Sequence, residues 1–194
     1  RIEFIDQEAE GLSVEQIGQK GSEFNPRLTA VVVYGQQPSA STQNMTVSEE
    51  ICSQLREQVP GSKTIMIGGH PSALPAQTLK DGSANFVCQG EGPATVDALL
   101  QVTDLNNETF LSKVPGLWFW SNGKPTFTQP AALITENQLC QTLPGIDWDI
   151  LPMHAYRAHN WHCFDHIEER QPYASIYTSL GCPFKCTFCC INAP

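Results

Sequence analysis

Cys182, Cys186 and Cys189 stand in the spacing CxxxCxxC within the run Gly181-Cys182-Pro183-Phe184-Lys185-Cys186-Thr187-Phe188-Cys189-Cys190. Thiolates are soft metal ligands, and three of them this close in sequence can wrap one compact metal centre. In a 4Fe–4S cubane, three protein ligands leave one iron open, able to take a substrate or cofactor through its own donor atoms. Gly181 permits the tight turn that such wrapping requires, and Phe188 is placed to shield the centre or to pack on a bound adenine. Zinc would accept the same ligands, but a structural zinc site typically combines two separated pairs and four ligands. Cys190, adjacent to Cys189, reads as a packed thiol rather than a ligand. Upstream, the segment Tyr156–His166 (YRAHNWHCFDH) holds His159, His162, Cys163 and His166 at a spacing that a metal could use. No carboxylate pair accompanies them, and the segment reads as a polar connection between domains.

A thiolate cluster of this kind needs a scaffold, and the residues before it supply strand and helix signals in alternation. Arg1–Asp6 has strand character, and Ser13 can cap a helix with Gln16 completing a capping box. Leu28–Tyr34 contains the run AVVVY, which predicts a strand buried on both faces. Residues 35–43 form a polar loop. Val47, Ile51, Leu55 and Val59 recur every fourth residue and predict a helix over Thr46–Val59. Thr64–Ile67 is a strand, followed by the loop 68–72. Pro75–Lys80 is a short helix, Asn85–Cys88 a strand, and Pro93–Val102 a helix opened by Gly90-Glu91-Gly92. This alternation predicts an open parallel α/β sheet of the doubly wound, Rossmann-like kind. Such sheets bind ligands at the carboxyl ends of their strands, and those ends are the small-residue loops just named.

Beyond Val102 the pattern changes. Leu117–Trp120 and Thr126–Thr128 flank Ser121-Asn122-Gly123-Lys124, a hairpin signal. Residues 135–172 carry little periodicity and hold Pro144, Pro152 and Pro172, as a connection across a neighbouring domain would. Tyr173–Thr178 is strand-like and leads into the cysteines. The expected division is an α/β domain over 1–102, a hairpin and linker over 103–172, and the start of a second domain over 173–194. The chain begins with Arg1 rather than Met, so the natural N-terminus is expected upstream.

Composition narrows the function classes. The 194 residues are 41 % hydrophobic and 16 % charged, enough for a core and too few charges for a disordered acidic chain. Mean hydropathy is −0.23, and no apolar run reaches the roughly 18 residues of a membrane span. The net charge of −9 argues against a nucleic-acid partner, since a polyanion requires a basic face. Of the eight cysteines, Cys52 falls in a helical pattern and Cys88 at a strand end, where buried free thiols are common. That distribution is not a secreted disulfide framework, and it points to a reducing, cytoplasmic compartment.

CxxxCxxC with an aromatic residue before the third cysteine, following a strand, resembles the signature of the radical S-adenosylmethionine (SAM) superfamily. The stretch YASIYTSLGCPFKCTFCCINAP behind an α/β domain is similar to the cobalamin-binding radical SAM enzymes in particular. The segments GQQPSAST, IMIGGHPSALP and FVCQGEGPATVDALL resemble that family's cobalamin-binding loops. The resemblance implies that Cys182, Cys186 and Cys189 hold a 4Fe–4S cluster whose open iron takes SAM. The product of that chemistry is a 5′-deoxyadenosyl radical, used for methyl transfer from methylcobalamin to an unactivated carbon of a small-molecule substrate, or for cyclisation or rearrangement. An electron donor such as flavodoxin or ferredoxin is implied as a partner. A full barrel needs on the order of 200 residues, so the resemblance implies a fragment that alone does not turn over.

The same resemblance assigns Ser39, Ser41, Thr42, Gly68, Gly69, His70, Gly90, Glu91, Gly92 and Thr95 to cobalamin binding. A corrinoid is a broad ring fringed with amides. Small residues let the backbone approach it, and hydroxyls and amides bond to its edge. The motif DxHxxG, which supplies a cobalt-ligating histidine elsewhere, is absent, so His70 is expected to shape its loop or to hydrogen-bond. Trp161 or His162 would line a cavity shared by cobalamin and cluster. Two other readings stand beside the enzyme: a non-catalytic cobalamin-binding module, and a zinc-stabilised α/β interaction domain. Iron with sulfide supports the enzyme, and zinc the interaction domain.

Overall fold

The computed structural model describes residues 1–34, 40–143, 145–158, 164, 166–169, 171–176, 184 and 186–188. The larger of two compact units is built on Val14–Leu133; the smaller is built on Arg1–Ser13 and Ile134–Pro183.

The larger unit opens with α1 (Val14–Phe24), then β1 (Leu28–Val33), the short turn of helix α2 (Ala40–Gln43) and α3 (Met45–Gln58). It continues through β2 (Lys63–Gly68), α4 (Gly69–Ala73), α5 (Pro75–Asp81), β3 (Phe86–Cys88), α6 (Pro93–Gln101) and α7 (Glu108–Leu111). The hairpin β4 (Leu117–Ser121) and β5 (Lys124–Phe127) closes it. The five strands form one sheet in the order β1-β2-β3-β4-β5. β1 and β2 run parallel from Leu28↔Lys63 to Val33↔Gly68, and β3 runs parallel to β2. The hairpin extends this same sheet, with β4 antiparallel to β3 from Cys88↔Leu117. Asn122 and Gly123 take φ of 50° and 73° at the hairpin tip, the left-handed pair that a tight two-residue connection demands.

Helices cover both faces of the central strands. Ile65, Ile67, Phe86, Cys88, Leu117 and Phe119 join Leu99, Leu105, Leu111 and Val114 in one core cluster. α1 and α3 pack together closely because α1 presents Gly18 and Gly21; a Cβ on Gly21 would lie 2.5 Å from Leu55 Cδ2. β2 and β3 are buried along their lengths, as apolar central strands should be. β1 departs from expectation. Val31 and Val33 are buried, but Val32 is 62 % exposed. The run AVVVY forms the edge strand, and only one of its faces is covered.

Two predicted loops contain helical turns. Residues 40–43 are α2, and the loop after β2 is α4. Asparagine precedes α3, and prolines sit in the first turns of α5 and α6, where a missing N–H costs nothing.

In the smaller unit Arg1–Asp6 forms no strand, and Ile2 is exposed. The segment meets no strand partner among the described residues, and a strand gains its hydrogen bonds only from a neighbour. The stretch read as an unpatterned connection contains α8 (Glu136–Thr142), entered by a capping box from Thr135 and Gln138. Single 3₁₀ turns follow at Trp148–Ile150, Met153–Ala155 and Ile167–Glu169. Residues 173–176, expected as strand, have no strand pairing; 177 and 178 lie outside the described residues. No described helix is long and apolar enough to cross a membrane.

Candidate functional site

The carboxyl ends of β1, β2 and β3 lie side by side because the strands are parallel and adjacent. Each is followed by a turn of small residues, and side chains tie the turns together. Ser41, fully buried in α2, donates its hydroxyl to the carbonyl of Val33, the last residue of β1. The same Oγ accepts the backbone N–H of His70 at 3.0 Å. Thr42 Oγ1 lies 3.1 Å from His70 Nδ1. These contacts join the turn after β1 to the turn after β2. Gly68 makes the approach possible: a Cβ there would run into the Val33 carbonyl and come within 3.2 Å of Ser41 Oγ.

The next pair of turns is joined in the same way. Ser72, 2 % exposed in α4, accepts the Gly90 N–H at 2.9 Å. Gly90 and Gly92 have φ of 111° and 97°, a region that side chains avoid. A Cβ on Gly92 would lie 3.0 Å from Ile67 Cγ2, whereas nothing lies within 4 Å of one on Gly90. Thr95, in the first turn of α6, is buried and donates to the Pro115 carbonyl at 2.8 Å. Gln89 N–H donates to Gly116 O at 2.9 Å, and the Trp118 indole donates to Gln89 Oε1 at 2.8 Å. Trp118 stacks on Phe127 with ring centroids 5.1 Å apart. The hairpin thus braces the third turn.

Ser41, Thr42, Gly68, Gly69, His70, Gly90, Glu91, Gly92 and Thr95 are therefore gathered on one edge of the sheet. They divide by task. Ser41 and Thr95 are committed to internal hydrogen bonds, while Thr42, His70, Gly69, Gly90 and Glu91 form the partly or fully accessible rim. Ser39 lies outside the described residues. Sequence reasoning missed Ser72, Gln89, Gly116 and Trp118. Ser72 stood inside the quoted segment IMIGGHPSALP, and its hydroxyl was the signal that could have singled it out.

The unit also holds two buried thiols, Cys88 at this edge and Cys52 beside Thr64 at the start of β2. Burial pushes the Cys52 thiol up to about 12, against a hydrogen bond with Thr64. Burial also raises Cys88, against hydrogen bonds with Thr95 and the Gly92 backbone. Both are poor nucleophiles, since the thiolate is the reactive form.

Of the three motif cysteines only Cys186 is described, and it is exposed; Cys182 and Cys189 lie outside the described residues. Phe188 is 92 % exposed. No group of three or more potential metal ligands is gathered among the described residues. His159, Trp161, His162 and Cys163 lie outside them, and His166 Nδ1 sits 3.5 Å from Glu169 Oε2. A cleft of about 270 Å³ opens at the opposite, amino-terminal edge of the sheet, lined by Arg56, Lys63, Asn85, Phe119 and Trp120 among others.

No protein-family profile matches the chain. An uncharacterized methyltransferase of Pyrococcus horikoshii is 29 % identical over 189 residues, 97 % of this chain and 36 % of that protein. The anaerobic magnesium-protoporphyrin IX monomethyl ester cyclase of Cereibacter sphaeroides is 25 % identical over 96 % of this chain and 28 % of its own length. The enzyme of the same name from Synechocystis is 26 % identical over 70 % of this chain and 24 % of its own length. The chain thus spans about a third or less of these curated relatives. Among solved structures, the cobalamin-dependent S-adenosylmethionine radical enzyme OxsB with aqua-cobalamin bound superposes with a TM-score of 0.56 at 20 % identity, over 75 % of this chain and 19 % of that one. Its form with aqua-cobalamin and S-adenosylmethionine bound gives 0.50 at 21 % identity, over 66 % and 17 %. The structural likeness establishes the fold, an open α/β sheet of the Rossmann-like kind. The likenesses together are consistent with a cobalamin-binding radical SAM family.

Proposed function

We propose that this chain is the cobalamin-binding part of a cobalamin-dependent radical SAM enzyme, together with the opening of its cluster-binding domain. The observation that carries the reading is the coupled edge. Three adjacent parallel strand ends are drawn together by Ser41, Ser72 and Gly68, so that small residues and polar groups face one side. That arrangement fits a corrinoid: a flat ring needs a rim without bulky side chains, and its amides need donors and acceptors at the margin. Thr42, His70, Glu91 and the Gly69 and Gly90 backbones would hold it. The corrinoid-binding domain proposed over residues 1–102 shares its sheet with the hairpin at the start of the 103–172 segment, whose remainder is the linker, and residues 173–194 would be the start of the second domain.

Cys182, Cys186 and Cys189 would hold a 4Fe–4S cluster, with Phe188 against it or against the adenine of SAM. When bound, these cofactors supply a 5′-deoxyadenosyl radical and a transferable methyl group; the protein's share is binding, orientation and exclusion of water. Methyl transfer to an unactivated carbon of a small molecule is the favoured reaction, since a relative spanning nearly the whole chain is named a methyltransferase. Cyclisation is the second reading, carried by the relatives named as cyclases. A reducing cytoplasm and an electron donor such as flavodoxin or ferredoxin go with this chemistry.

The test uses the full-length protein. Incubation with hydroxocobalamin and gel filtration should give a co-eluting corrinoid spectrum. After anaerobic cluster assembly, dithionite and SAM should yield 5′-deoxyadenosine. A protein that carries zinc, retains no corrinoid and leaves SAM intact would overturn the proposal in favour of an interaction domain. A protein that retains corrinoid but cannot cleave SAM would be a binding module.

A further inference from the structure

His70 is held at two points. Its backbone N–H is fixed by the buried hydroxyl of Ser41, and its ring Nδ1 lies 3.1 Å from Thr42 Oγ1. Nε2 has no partner among the described residues. A histidine that ligates a metal through Nε2 generally donates its Nδ1 proton to a carboxylate, a carbonyl or water. Here the partner is a hydroxyl with a proton of its own to give, and no other acceptor for that proton is found among the described residues.

We propose that Thr42 donates to Nδ1, which leaves the proton on Nε2. His70 then presents an aimed N–H to an oxygen acceptor on the corrinoid periphery, and it does not ligate cobalt. This rests on the corrinoid reading above and deepens it by giving one residue of the rim a defined polar task. The fixed ring loses little freedom on binding, which is why the contact contributes to affinity. Toward this contact Ser41 and Thr42 are positioning residues, acting through His70.

The experiment is titration of the full-length protein with hydroxocobalamin and, separately, with cobinamide, which keeps the ring amides and lacks the nucleotide. His70→Ala should weaken hydroxocobalamin binding on the order of tenfold, the loss of one hydrogen bond of about 1.4 kcal/mol. His70→Gln, whose amide N–H can reach the place of Nε2, should stay within ~3-fold of wild type. Thr42→Val keeps the shape and removes the hydroxyl, and should fall between them. The visible spectrum of bound hydroxocobalamin should be the same in wild type and His70→Ala. Loss of affinity for both corrinoids assigns a ring amide as the acceptor; loss for hydroxocobalamin alone assigns the phosphodiester. Unchanged affinity in His70→Ala, a glutamine variant as weak as alanine, or a spectrum that loses a nitrogen-ligand signature would overturn the inference while wild-type binding still upheld the corrinoid reading. A wild type that binds neither corrinoid would overturn both. Circular dichroism of each variant, with Thr42→Val as the milder one, separates these results from misfolding.

Discussion

Ser41 and His70 are 29 residues apart in sequence, and one 3.0 Å hydrogen bond from the His70 backbone N–H to Ser41 Oγ makes the ends of β1 and β2 a single surface. The bond works because Ser41 is fully buried and its proton is directed to Val33 O. Removing the hydroxyl leaves a backbone donor and a backbone acceptor without that partner. Ser41→Ala should destabilise the protein by about 1–3 kcal/mol, read as a lowered urea midpoint with an unchanged slope. Ser53→Ala is the comparison, since that hydroxyl has a half-buried hydroxyl partner, Ser83; its loss should stay nearer 1 kcal/mol.

Glycine substitutions should separate close approach from simple flexibility. Gly68→Ala puts a methyl group against the Val33 carbonyl, between two paired strands that cannot spread without losing their ladder. We expect a cost of about 1–3 kcal/mol, that of an overpacked core site. Nothing lies within 4 Å of a Cβ on Gly61, and its φ lies outside the left-handed region. Gly61→Ala should be neutral or stabilising by up to about 1 kcal/mol, through the unfolded chain. Thermal melts of both variants check the contrast.

The thiols predict an alkaline limit. The Cys52 thiol is raised from 9.0 in the unfolded chain to about 12 in the fold, by burial first. Between these values the unfolded state has lost a proton that the folded state keeps, so stability falls as pH rises. The contribution is complete below pH 9 and is lost between about 9 and 12, with a slope of up to ~1.4 kcal/mol per pH unit. Cys88 adds in the same direction. Cys52→Ala should therefore flatten the dependence of the urea midpoint on pH in this window. In a brief iodoacetamide pulse of the native protein, the exposed Cys140 should react and the buried Cys52 and Cys88 should stay unmodified, as read by peptide mass spectrometry.

Much of this molecule is legible in its residue pattern; the short helices α2, α4 and α8 escaped because few apolar residues mark them, and the other failures share one cause. The recurrence of Val47, Ile51 and Leu55 found α3, and the small-residue loops correctly marked the shared sheet edge. What periodicity cannot report is which strand stands next to which. Arg1–Asp6 has strand character and forms no strand, because strand structure needs a neighbour. Val32 belongs to an unbroken apolar run and is exposed, because β1 is at the edge. Ser72 and Trp118 escaped notice because their partners, Gly90 and Gln89, lie in the turn after a different strand, β3. The reading of the cysteine motif rests on local spacing alone, since Cys182 and Cys189 lie outside the described residues.

The most direct measurement of the central claim is the metal content of the full-length protein after anaerobic assembly with iron, sulfide and hydroxocobalamin, followed by desalting. Mass spectrometry of the metals should find one cobalt and about four irons per chain, the content of one corrinoid and one cubane. In the variant with Cys182, Cys186 and Cys189 all changed to Ala, the iron should disappear and the cobalt should remain, while Cys190→Ala should keep both. Zinc in place of iron, cobalt lost together with the iron, or equal loss of iron in Cys190→Ala would contradict the account.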